Sequence, residues 1–249
     1  EILVRGEGNP LYIEELIRSV QHHAVATEQP AVPASLRDSL MAQLDALESG
    51  KVVAQWASVI GRAFDAIMLH AVWEASPEDL QQGLDELQQA GLTSREGEGE
   101  LTCYFFRNNL LRDTAYDTLL RDSRVDLHRR LASVIEKDFP DLRSRQPERV
   151  ARHWASSGNP VTAIECWLDA LRLSFERSAT TEALAHADSA ETELVNVADA
   201  TQREQLELAT AILKGPALMN AHDSGSQTVA EPYRKALTLA ERAGRIEDS

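Results

Sequence analysis

The spacing of apolar and polar positions along the chain is helical almost throughout. Leu11, Ile13, Leu16, Ile17 and Val20 form one apolar face after Gly8-Asn9-Pro10, with Pro10 suited to a first helical turn. Gln29-Pro30-Ala31-Val32-Pro33 breaks that pattern, and its Pro-x-x-Pro spacing predicts an extended linker. After Ser35, the series Leu36, Leu40, Leu44 and Leu47 predicts a helix ending at Gly50. Val52, Val53, Trp56, Val59 and Ile60 predict a second that stops at Gly61, and a third covers about 65–74. Ser76-Pro77-Glu78-Asp79 reads as a cap with two acids in the first turn. It opens a fourth helix through Leu80, Leu84 and Leu87 to a stop at Gly91.

One stretch departs from the helical period. Leu92–Arg95 and Leu101–Phe106 are β-prone runs around the Gly-rich turn Glu96–Glu100, which predicts a hairpin. Three helices followed by a hairpin is the order of a winged helix. Helical spacing resumes with Leu110, Leu111, Ala115, Leu119 and Leu120, and again with Leu127, Leu131, Val134 and Ile135 before Pro140. From Pro147 onward helices are predicted at about 147–157, 161–177, 181–197, 203–221 and 228–243, joined by turns such as Ser157-Gly158-Asn159-Pro160. The pairs near 161–197 and 203–243 have the length of a two-helix repeat, as in tetratricopeptide (TPR) arrays. The expected fold class is mainly α: a winged-helix-like domain with one β-hairpin, followed by a TPR-like α-helical repeat array. The expected domains are a helical segment at 1–30, the winged-helix-like domain at 31–140 and the repeats at 141–249.

Composition narrows the function. The 249 residues allow one or two domains, and 43% hydrophobic with 26% charged residues suits a globular protein. Against 25 Lys and Arg stand 40 Asp and Glu, a net charge of −15, which argues against nucleic-acid and anionic-membrane binding. No apolar run is long enough to span a bilayer. Cys103 and Cys166 lie far apart without ligand-like spacing, so reduced thiols and a cytoplasmic location are expected. Glu1–Arg5 has neither the basic nor the apolar part of a signal peptide, and the chain, opening without Met, reads as a piece of a longer polypeptide.

Candidate chemistry is sparse. The sequence holds no phosphate loop, no G-x-G-x-x-G, no H-E-x-x-H and no C-x-x-C, so this segment alone is not expected to be an enzyme. His22 and His23 would point about 100° apart on a helix, a poor chelate. His128, His153 and His186 have no partner that spacing identifies and read as packing or surface residues. Asp223-Ser224-Gly225-Ser226 follows a helix and lacks the second Gly of a nucleophile elbow, so it reads as a loop. In a DNA-reading winged helix, Pro77–Ala90 would enter the major groove. Here it carries Glu78, Asp79, Asp85 and Glu86 and no Lys or Arg, and its wing adds Glu96, Glu98 and Glu100. That surface would repel phosphates, which points to a protein-contact or spacer element. Arg121, Arg124, Arg129 and Arg130 alternate with Asp122 and Asp126, the pattern of a solvated, salt-bridged helix face.

Several phrases together resemble one family. Gly8-Asn9-Pro10-Leu11-Tyr12-Ile13-Glu14-Glu15-Leu16 is similar to a segment of STAND-class signalling ATPases. Val32–Asp38, Ala57–Phe64 and Phe106-Arg107-Asn108-Asn109-Leu110-Leu111-Arg112-Asp113-Thr114-Ala115-Tyr116 with Leu127-His128 look like the segments that follow it. The nearest form is the bacterial adenylate/guanylate cyclase type, in which a cyclase, an ATPase module and TPR-like repeats share one chain. Large LuxR-type regulators carry similar modules. The resemblance covers nearly the whole chain in matching order. It implies a regulatory fragment that couples the nucleotide state of an upstream ATPase core to partner or ligand sensing by the repeats, with a nucleotide cyclase as one output. It implies a parent that is an ATPase or a cyclase and binds ATP or ADP with Mg2+, the phosphate-binding Lys and metal-binding Asp lying before Glu1. In this segment the nucleotide-binding role would fall on Pro10, with Gly8 and Asn9 shaping the turn. Partners implied are the intramolecular ATPase core and proteins met through the repeats. Asn108 stands where the family usually has His. The alternatives are a DNA-binding transcriptional regulator and a helical-repeat interaction scaffold.

Overall fold

The structure, a computed structural model, describes residues 36–99 and 102–221. Among these, the elements run α1 (Leu36–Asp45), α2 (Gly50–Ile60), β1 (Ala63–Asp65), α3 (Ala66–Val72), α4 (Pro77–Gln89), β2 (Thr93–Glu96), β3 (Cys103–Phe106), α5 (Asn109–Asp117), α6 (Arg121–Asp138), α7 (Pro140–Arg145), α8 (Pro147–Ser156), α9 (Pro160–Glu176), α10 (Thr180–Leu194) and α11 (Ala200–Ala221). The described residues are mainly helical, with one small antiparallel sheet among them. The chain divides into two compact units, Glu1–Arg124 and Val125–Ser249, the break falling inside α6.

In the first unit the expected hairpin forms as β2 and β3, turning through Gly97 and Gly99, whose φ of 82° and 58° suit glycine. A third strand was not expected: β1 pairs with the far edge of β3, giving the order β1-β3-β2. Three residues are too few to show a period of two. What fixes β1 is Phe64, which is buried and faces Tyr104 across the ladder with ring centroids 5.6 Å apart. Phe106 adds a second ring 5.4 Å from Phe64, so one aromatic cluster ties the edge strand β1 and the central strand β3 to the core.

The helices of this unit lock at the crossing of α2 and α4. Leu80, Leu84 and Leu87 line the buried face of α4, and Gly83 lies among them. A Cβ on Gly83 would sit 2.4 Å from Val53 Cγ2 and 3.0 Å from the Ser49 carbonyl oxygen, so only a glycine lets α4 approach the start of α2 this closely. Ser76 caps α4 by accepting from Asp79 N–H at 3.0 Å.

The second unit centres on α9, which packs against α8, α10 and α11. Helix α10 turns Ala183, Ala187 and Ala190 inward, all fully buried, and this stripe of small side chains seats Leu171 of α9 and Ala217 of α11. Lys214 of α11 donates to Asp188 and Glu191 of α10 at 2.7 and 2.9 Å. The short α7 is not among the expected helices: the helical pattern before it is expected to end at Pro140, which instead occupies the first turn of a new helix, whereas the helix expected from Pro147 forms as α8. The helix expected at 228–243 lies outside the described residues.

Gly83→Ala separates packing from helix propensity. Propensity alone would favour Ala by about 1 kcal/mol, whereas overpacking a tight contact costs about 1–3 kcal/mol. Because one contact is to backbone, we expect net destabilisation, read as a lower urea midpoint, with an exposed control such as Gln81→Ala unchanged.

Candidate functional site

Three groups of side chains concentrate the polar and titratable chemistry: the outer face of α4, the start of α5, and the imidazoles of the second unit. Gly8, Asn9 and Pro10, the residues assigned to nucleotide binding by resemblance, lie outside the described residues. The same tripeptide recurs at Gly158-Asn159-Pro160, where its structural work is visible. Gly158 takes a φ of 74°, Asn159 Oδ1 accepts from Thr162 N–H at 3.5 Å, and Pro160 opens α9.

On α4 the exposed residues are Pro77, Glu78, Asp79, Gln81, Gln82, Asp85 and Gln89, with Gln81 donating to Asp85 at 2.8 Å. No base interrupts this face. Glu86, half-buried beside it, turns back to α2: Ser49 N–H and Gly50 N–H donate to its Oε2 at 3.0 and 2.8 Å. A carboxylate there satisfies two donors at the start of α2 and meets the positive end of its dipole. The Gly50 amide, above all, holds the Glu86 carboxyl below its ordinary range, with Gln82 contributing a further hydrogen bond.

The stretch that resembles the family motif around Asn108 forms a polar knot. Asn108 caps α5, its Oδ1 accepting from Leu111 N–H at 2.7 Å, while its buried Nδ2 has no hydrogen-bond partner among the described residues. Arg112 Nε donates to Ser58 O at the end of α2 at 2.8 Å. The Tyr116 ring is in contact with two guanidinium groups, 5.3 Å from Arg112 and 4.7 Å from Arg124. Arg124 donates to the Leu119 and Asp117 carbonyls at 3.0 and 2.8 Å, and Arg37 pairs with the Asp117 carboxylate. Arg37, Arg112 and Arg124 thus fasten α1, α2 and the start of α6 to α5.

Two histidines that spacing left without partners meet in the second unit. His128 of α6 and His153 of α8 are buried, with their Nδ1 atoms 2.9 Å apart. Beside them Trp154 Nε1 donates to Glu136 at 3.0 Å. A separation of 25 residues across two helix breaks hides such a pair from any periodicity. His186 stacks on Trp167 with centroids 5.5 Å apart, and burial lowers its pKa. Burial also pushes the Cys166 thiol up to about 12, so it stays protonated. Among the described residues, no group of three His, Cys, Asp or Glu side chains is placed to hold a metal ion, and no helix is long and apolar enough to cross a membrane.

No family model matches the chain. It is similar to an uncharacterized protein of Rhizobium meliloti (strain 1021), 25% identical over 250 residues. The match takes in 97% of this chain and 24% of the relative, so the chain spans about a quarter of that protein's length.

Two substitutions test the geometry. Because the Glu86 pKa is lowered in the folded state, its stabilisation is fully present above the ordinary carboxylate value of 4.5 and is lost as pH falls through the lowered one. Glu86→Gln is therefore expected to be less stable than the wild type at pH 7 and to converge on it in acid, measured as urea midpoints stepped from pH 7 to pH 3. At the α5 cap, Asn108→Ala is expected to cost about 1 kcal/mol. Asn108→Ser keeps an acceptor and removes the buried Nδ2, so its thermal midpoint is expected to stay at or above the wild-type value.

Proposed function

We propose that this chain is a regulatory, transducing module of a multidomain signalling ATPase, its first unit a winged helix used for protein contact and its second a TPR-like array. The observation that carries the reading is the outer face of α4. In a DNA-reading winged helix this element presents basic and amide side chains to the groove. Here it presents Glu78 and Asp85 among glutamines, in a chain of net charge −15. Such a surface favours a protein partner and disfavours phosphate.

The element order supports the winged-helix reading. Helix α2, strand β1, helices α3 and α4, and the hairpin β2–β3 follow one another, with β1 added to the outer side of β3. The TPR-like reading is supported by consecutive helices of 17 and 15 residues, each packed on the next, with small side chains at the contact. A relative about four times as long suits a module within a larger protein.

The link to nucleotide rests on the resemblance around Pro10 and in the stretch from Phe106 to Tyr116. In this reading an upstream core holds ATP or ADP with Mg2+, Gly8 and Asn9 shape the turn, and Pro10 lies against the base. The winged helix rests on that core in one nucleotide state and leaves it in another. A nucleotide cyclase is one output such a switch would govern. The competing readings are a DNA-binding regulator and a helical scaffold without nucleotide.

The test is nucleotide binding by a polypeptide that extends a few hundred residues upstream of Glu1. The reading expects ATP or ADP to bind and Pro10→Ala to weaken binding about tenfold, or about 1.4 kcal/mol. Unchanged affinity in the variant, or no binding by the extended protein, overturns it.

A further inference from the structure

We propose that His128 and His153 form an acid-sensitive latch between α6 and α8, closed while either imidazole is neutral and opened when both are protonated. The latch is independent of the nucleotide reading. It rests on two imidazoles of the second unit whose Nδ1 atoms stand 2.9 Å apart, with ring centroids at 5.1 Å and planes inclined by 34°. Their residues are 6% and 8% exposed, so water does little to screen one ring from the other.

The chemistry of this atom pair allows three states. With both rings neutral, one Nδ1–H donates to the lone pair of the other Nδ1, provided the tautomers differ. With one proton added, the donor ring is an imidazolium and the same hydrogen bond becomes charge-assisted and stronger. With two, both Nδ1 atoms carry hydrogen, no lone pair remains between them, and two positive charges face each other at contact distance. The first proton is accommodated and the second is opposed, so the pair titrates as a coupled unit.

Charged groups also stand on the surrounding helices, and half-buried Arg130 of α6, two residues after His128, adds a cation on the same helix. On α6, Glu136 stands two turns after His128 and would favour a cation, but its Oε1 already accepts from Trp154 and lies 3.9 Å from Arg143 of α7. Arg143 is held in turn by Asp169 of α9 at 2.8 Å. Arg124, one turn before His128, is committed to the Leu119 and Asp117 carbonyls. On α8, Arg149 donates to Gln146 at 3.1 Å, and the charges of Glu148 and Arg152 act on His186 of α10. The link matters because α6 is the helix in which the chain passes from one compact unit to the next. The His128–His153 and Glu136–Trp154 hydrogen bonds are two polar ties that hold its later turns to α8.

The test is an NMR titration of the 15N-histidine-labelled full chain from pH 8 to pH 4.5, with resonances assigned from His128→Asn and His153→Asn. The latch predicts that the two rings titrate in two linked steps more than about one pH unit apart. Two independent titrations with a common midpoint near pH 6.5, the ordinary value for histidine, overturn it. A second measurement compares urea unfolding of the wild type with the double variant His128→Asn/His153→Asn. Below about pH 6.5 the wild-type unfolding constant should rise up to about tenfold more per pH unit than that of the double variant, because the unfolded chain binds the proton the pair refuses. Parallel pH dependences overturn the proposal. If the double variant does not fold, the wild-type titration decides alone.

Discussion

The close crossing of α2 and α4 is the constraint on which the first unit depends. Gly83 sets the approach, since a Cβ there would meet both Val53 and the Ser49 carbonyl. Glu86 secures it three residues later, giving the Ser49 and Gly50 amides at the start of α2 a charged acceptor from the neighbouring helix. One helix end is thereby capped by another helix, so the two cannot slide apart without leaving Ser49 and Gly50 N–H unsatisfied. With Leu80, Leu84 and Leu87 buried by the same crossing, the direction in which α4 turns its remaining side chains is fixed.

Those remaining side chains give the surface its character. The inward commitments of α4 leave Glu78, Asp79, Gln81, Gln82, Asp85 and Gln89 outward, an acidic and amide face without a base. Four of the described arginines are engaged elsewhere. Arg37 and Arg124 are held at Asp117, Arg112 reaches the end of α2, and Arg143 bridges Glu136 and Asp169 in the second unit. These arginines act as fasteners between helices, and in that role they offer little to a phosphate backbone. The proposed function follows from this division of labour, acids outward on α4 and arginines turned to neighbouring helices.

Most helices were legible because each buries an apolar stripe and carries its own punctuation. Ser76-Pro77 opens α4 and Gly91 follows it; Asn159-Pro160 opens α9. Strand β1 was not legible, because its place is decided by Phe64 pairing with Tyr104 some forty positions on, a fact of tertiary packing. Helix α7 was missed for a local reason: a proline read as a terminator serves equally well as a first turn. The chemistry was less legible than the fold. That Pro77–Ala90 carries no base was plain from composition, but Glu86 leaving the acidic face to cap α2, and His128 meeting His153, depend on which helices are neighbours. The resemblance at Gly8-Asn9-Pro10 concerns residues outside those described, and the visible copy at Gly158-Asn159-Pro160 shows the tripeptide forming a turn and a helix start.

The most direct test of the central claim, that the outer face of α4 meets protein and not nucleic acid, is a fluorescence anisotropy titration of labelled duplex DNA with the full chain, repeated at about 50 and 200 mM salt. Contacts to several phosphates would appear as binding that weakens steeply between those concentrations. The account predicts no binding at either salt concentration. Salt-dependent binding that survives at the higher concentration, and that is lost on substituting Gln81, Gln82 and Gln89 of α4 by Ala, would contradict it.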